Sequence, residues 1–172
     1  MGDAEFQAFR GTVKSPALQA VVQHWHQVRG RKRMPNWTDL SSAALTPHFE
    51  LLWGFQHNPE TGDFNGRLAG KHVKDWLGAN FWGASLKDLH APHVFADSHR
   101  FLFNVVSTPA AGRCSGRLFT IGGAAVTGER IALPLAADGL TADAVLGASA
   151  YETPIIPGPV ELIHENAEWF AI

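Results

Sequence analysis

One cysteine in 172 residues, Cys114, excludes an intrachain disulfide and any thiolate metal cluster built within this chain. No run of about 18 apolar residues occurs, so no membrane-spanning helix is expected. The opening stretch MGDAEFQAFRGTVK carries acids early and has no apolar segment, which argues against a secretory signal. Phe6 stands where an N-myristoylation pattern needs Ser or Thr. Together these absences make the cytoplasm the expected location. A net charge of −2 at pH 7 excludes a general polyanion-binding surface. The local basic run Arg29, Arg31, Lys32 and Arg33 reads as a solvated helix end whose cations complement the helix dipole, so nucleic acid is not an expected partner.

Catalytic signatures are missing as well. Gly62, Gly66 and Gly70 are not followed by the Gly-Lys-Ser/Thr of a phosphate loop, and no His-Glu-x-x-His pair occurs. Cys114, at a strand entry among Arg113, Ser115 and Gly116, lacks the tight turn that presents a nucleophile. The chain is therefore not expected to be an enzyme.

What is present is a globular composition, 45% hydrophobic and 17% charged, long enough for one domain with a sizeable core. Ser15-Pro16 reads as an N-cap followed by Pro at the first helical position; Leu18, Val21, Val22, Trp25 and Val28 then recur at helical spacing until Gly30. Phe49 to Phe55 reads as a buried strand, and Phe64 to Gly70 as the strand returning from it. Lys71 to Leu77 fits a short helix ending at Gly78. Pro92 opens a longer helix through about Val106, with Phe95, His99, Leu102 and Val106 on one stripe. Arg113 to Ile121 alternates as a strand with Arg117, Phe119 and Ile121 on one face, ended or bulged by Gly122-Gly123.

The clearest hairpin runs from Glu129 to Glu152. Ile131, Leu133 and Leu135 alternate with Arg130, Ala132 and Pro134, which places one face on a core and the other towards solvent or a neighbour. Asp138-Gly139 supplies the turn. The return strand has a small face, Ala142, Ala144, Ala148 and Ala150 with Leu146, so something is expected to lie close against it. Residues 1–14 read as an N-terminal extension, 15–152 as the domain, and 153–172, Pro-rich and then amphipathic, as a tail that Ile163, Trp169 and Phe170 could anchor.

Several of these pieces are shared with a known family. Trp25, the Arg33-Met34-Pro35 turn, Phe49 to Trp53, Arg67-Leu68-Ala69-Gly70, Trp76 to Gly78, Leu133-Pro134-Leu135, Asp138-Gly139 and Val145-Leu146-Gly147-Ala148 resemble the PAS domains. In particular, they resemble the stand-alone PAS-like proteins found in alphaproteobacteria. The resemblance covers roughly residues 18 to 152 and implies an α+β fold. Its expected form is a five-stranded antiparallel sheet in the order 2-1-5-4-3, helices on one face, and an N-terminal helix. The last strand is then central.

The resemblance also implies a sensory or signal-transduction module without catalytic activity, binding a small ligand or a protein partner. Trp76, Phe81, Trp82, Phe95, His99, Phe103, Phe119 and Leu146 are the expected pocket residues, since ligand pockets are lined mainly by apolar and aromatic side chains. No metal site is expected, unless haem binds through His99, because haem-binding PAS domains take their proximal histidine from the helix before the third strand. A small organic ligand is preferred to haem as the unidentified cofactor. The expected partners are a second copy and a separate signalling protein, with no membrane. The alternative is a structural dimerisation module with a ligand-free packed core, its interface formed by Leu18, Val21, Val22 and Trp25 with Trp169 and Phe170.

Overall fold

A computed structural model of the chain describes residues 1–77, 80–153, 158–163 and 165–172, without the side chains of Trp76 and Leu77. Helix α1 spans Asp3–Thr12 and α2 Pro16–Arg29; α3 (Ser42–Leu45) runs into a 3-10 helix over Thr46–Leu51. Strands β1 (Leu52–His57) and β2 (Phe64–Ala69) form the first hairpin. Helices α4 (Lys71–Leu77), α5 (Leu86–Leu89) and α6 (Pro92–Ser107) follow, then β3 (Ala110–Ile121), β4 (Ala124–Leu135) and β5 (Ala144–Tyr151). The tail contributes β6 (Val160–Leu162) and β7 (Glu168–Ala171).

The sheet order is β2-β1-β5-β4-β3, all pairs antiparallel, with β5 in the centre as the resemblance implies. Beyond five strands, β6 and β7 both pair with β3: β6 at its Phe119–Ile121 end and β7 along Ala110–Arg113. The tail thus covers the backbone donors and acceptors of what would otherwise be a bare edge.

Local chemistry explains the boundaries. The Ser15 hydroxyl accepts from Leu18 N, Pro16 opens α2, and Gly30 ends it at φ +56°. Asp138 Oδ1 accepts from Leu140 N at 2.8 Å and Thr141 N at 2.7 Å, while Gly139 takes φ +75°. The chain reverses between β3 and β4 at Gly122-Gly123, both left-handed, in a tight two-residue turn. The first strand begins at Leu52, not Phe49, because Pro47 lies at the start of a 3-10 turn that carries Phe49 and Glu50. Helix α1 escaped the sequence reading: its apolar face amounts to Phe6 and Phe9, both buried. Gly78, the expected end of α4, lies outside the described residues.

Strand alternation sorts the sheet into two faces. Trp53, Phe55, Arg130 and Tyr151 point towards α6, whereas Gly54, Glu129, Ile131, Leu133 and Leu146 point the other way. There α2 packs on β4 and β5, and Trp25 Nε1 donates to the Pro134 carbonyl at 2.9 Å. Helices therefore cover both faces of the hairpin, so the side expected to face solvent or a neighbour meets a neighbour, α6. The small Ala144–Ala148 face meets α2; the aromatic helix α6 lies on the opposite one. A bulge between Arg117 and Phe119 shifts the register of β3, so those two side chains do not share a face.

The expected dimer stripe is also reassigned. Leu18, Val21, Val22 and Trp25 are at most 1% exposed, buried against the chain's own sheet. Phe170 packs on Phe9, and Trp169 on Phe101. Most of the basic run is likewise engaged: Arg29 donates to the Met1 carbonyl, Lys32 pairs with Asp39, and Arg33 donates to the Ile172 carbonyl.

Candidate functional site

A cavity of about 60 Å³ lies between α6 and the sheet. Trp53 and Phe55 of β1, Arg130 of β4 and Tyr151 of β5 form its floor. Ser98, Phe101 and Leu102 of α6 form the roof; Val73 of α4, Leu86 of α5, His90 and Leu162 of β6 close the sides. His90 also borders an outer groove with Leu89, His93, Val94, Pro159 and Val160, so it stands between the cavity and the surface.

The floor is fixed by hydrogen bonds. Trp53 Nε1 and Arg130 Nε both donate to the Ser149 hydroxyl, at 3.0 and 3.1 Å, and Ser149 is buried. The Arg130 guanidinium sits 6.0 Å from the Phe119 ring centre, and Phe119 meets Tyr151 edge-on. Gly147 makes room for Trp53: a Cβ there would lie 2.1 Å from the indole.

Arg130 is 6% exposed, and among the described residues no carboxylate forms a salt bridge with it. Arg113 on β3 is 8% exposed and has two, with Glu129 at 2.7 Å and Glu168 at 2.6 Å. Burial works against the Arg113 charge, but its bonds to Glu129 and Glu168 outweigh that and hold the guanidinium above its ordinary value.

Burial, with the nearby Arg130 cation adding to it, pushes His90 down to about 4. His90 is thus a neutral imidazole at neutral pH. Its folded value lies below the unfolded 6.5, so its stabilising contribution is complete above pH 6.5 and is lost as pH falls towards 4. His24, His26 and His57 are displaced the same way by burial, so the effect belongs to a difference measurement. The stability gap between wild type and His90→Gln should shrink from pH 7 to pH 4 by at most about 3 kcal/mol, less for the contact His90 keeps with solvent. Urea midpoints across that range check it; a constant gap would refute the assignment.

Cys114 is fully buried, and burial pushes its thiol up to about 11 despite neighbouring Arg130 and Arg113. A protonated, enclosed thiol is no nucleophile.

The residues expected from sequence fall around this cavity more than in it. Phe81 is buried behind Phe55, its ring against Gly66, and Phe119 backs Arg130 and Tyr151. Trp82 is 75% exposed with Arg67 over its ring. Phe95 and Phe103 flank His99 on α6, and Phe103 is exposed. His99 lies outside the lining: its Nε2 is 2.7 Å from the Gly62 carbonyl, which requires that nitrogen to donate. Leu146 lies on the α2 face, because Gly147 is the neighbour whose position faces Trp53. The Trp76 side chain lies outside the described residues.

Haem does not fit this arrangement. Pockets for drug-sized ligands start at about 300 Å³, and His99 Nε2 is already committed. Among the described residues no group of three or more His, Cys, Asp or Glu side chains could hold a metal ion, and no helix is long and apolar enough to cross a membrane.

Sequence reasoning missed Arg130, His90, Ser98 and Tyr151. Arg130 had a usable signal: on a strand beside the central one, both faces are covered, and a charge there must point at something. A comparison with protein families finds a family model, described as PAS domain, that matches residues 13–150. No curated protein matches the chain.

Proposed function

We propose, for a chain that belongs to the PAS domain family, that it is a sensory module whose cavity between α6 and the sheet takes a small ligand, the outcome being read by a separate signalling protein. PAS domains are generally non-catalytic sensory modules, and the enclosed thiol of Cys114 agrees with that role. The observation that carries the reading is an apolar cavity with a few convergent polar groups on a hydrogen-bonded floor, the usual composition of a ligand site.

Sensing requires that the ligand prefer one of two states. Strand β4 is suited to report occupancy, because neighbouring residues face opposite ways. Arg130 lines the cavity; Glu129 accepts from Lys14 N and Ser15 N, the junction of α1 and α2. A shift of β4 thus reaches the N-terminal helices. PAS domains often dimerise, and a second copy would have to use a surface other than the buried α2 stripe.

Thermal unfolding across a small-metabolite panel tests the reading, with Ser98→Leu as the control that fills the cavity from α6. Some compound should raise the wild-type midpoint, by about 2.7 kcal/mol of stabilisation at a hundredfold excess over Kd, and Ser98→Leu should not respond. No response from wild type, or an equal one from the variant, would overturn it.

A further inference from the structure

We infer that the ligand is a small monoanion with an apolar end, a short-chain carboxylate, received by Arg130. This rests on the reading that the cavity is a ligand site, and adds size, charge and polarity to it.

Size comes from the volume. A water needs roughly 10–15 Å³ of such space, so about 60 Å³ accommodates on the order of four to six non-hydrogen atoms.

Charge comes from a contrast within one sheet. Arg113 and Arg130 are buried to a similar degree, on adjacent strands, and each brings a guanidinium into the interior. Where the cation is structural, at Arg113, the chain supplies two carboxylates. Arg130 receives a serine hydroxyl and an aromatic face, neither of which carries negative charge. The sequence outside the described residues holds no Asp or Glu that could change this. A buried cation without a counter-charge is costly, and an anion that enters the cavity relieves that cost. The guanidinium fork also matches a carboxylate in geometry.

Polarity comes from the rest of the wall. Val73, Leu86, Phe101 and Leu102 offer aliphatic and aromatic contact, which suits an alkyl end and not a fully polar ion such as nitrate or phosphate.

The test is thermal unfolding and calorimetric titration of the full chain, at constant ionic strength, with four probe sets: acetate, propionate and butyrate; acetamide, propionamide and 1-propanol; sodium nitrate and phosphate; and a general metabolite panel. Arg130→Met is run in parallel: it removes the charge while keeping an unbranched side chain against Phe119. A carboxylate should bind wild type at least tenfold more tightly than its amide, and Arg130→Met should lose that preference. Amides binding as well as acids, or Arg130→Met binding acids unchanged, would overturn the anion while leaving the sensory reading intact. Nitrate or phosphate matching propionate would overturn the apolar end. Should loss of the Ser149 bond and the Phe119 contact destabilise Arg130→Met, Arg130→Gln, which keeps a donor without the charge, is titrated instead, and an unchanged preference for the acid there would overturn the receptor role. Response to none of the probes, the metabolite panel included, would remove the sensory reading and this inference with it.

Discussion

Glu129→Ala is expected to cost about 3–5 kcal/mol of folding stability, a large part of what holds a domain of this size together. Glu129 is 6% exposed and does two jobs with one carboxylate. It neutralises the buried Arg113, with Nε to Oε1 at 2.7 Å, and it accepts from Lys14 N at 3.0 Å and Ser15 N at 2.7 Å. Alanine leaves a buried cation short of its enclosed partner and strips two backbone donors at the α1–α2 junction. Glu168→Ala is the matched control: it contacts the same arginine, but Glu168 is 45% exposed on its side chain, so its loss should cost under about 1 kcal/mol. Urea midpoints with unchanged m-values would establish the ordering; equal costs for the two variants would refute it.

Gly147→Ala should destabilise by about 1–3 kcal/mol and also abolish ligand response. The added Cβ would lie 2.1 Å from Trp53 Cε2 and Cζ2. The indole is pinned by its Nε1 bond to Ser149, and its outer face borders the cavity. Relief therefore moves the ring into the cavity. A smaller ring frees that room, so Gly147→Ala should cost less in a Trp53→Phe background than in wild type, a coupling a double-mutant cycle reads directly. Full additivity would mean that strand and ring do not contend for one space.

Much of the scaffold was legible because its signals are local. Asp138-Gly139, the Ser15-Pro16 start and the Pro92 helix each rest on a few adjacent residues, and the family likeness placed β5 at the centre of the sheet. The site was less legible because it depends on which face a side chain takes. On β4 and β5 both faces are buried, so the period-two contrast that would separate Arg130 from Ile131 carries no inside–outside information. Leu146 was placed on the cavity side although Gly147 is the residue that faces it. The β3 bulge reversed a face that counting alone kept constant. Trp82 and Phe103 suggested a pocket by their chemistry, yet 75% and 43% of their surfaces are exposed. The tail read as an appendage because β6 and β7 are three and four residues long and their pairing with β3 spans some forty to sixty residues of sequence.

A ligand between α6 and the sheet is expected to alter the far face through β4. Amide correlation spectra of the full chain, titrated with the strongest stabiliser from the panel, test it most directly. Saturable shifts are expected at residues 53, 55, 98, 101 and 130, followed in parallel by residues 14 and 15 beyond Glu129. Shifts confined to other surfaces, or cavity shifts with residues 14 and 15 unmoved, would contradict it.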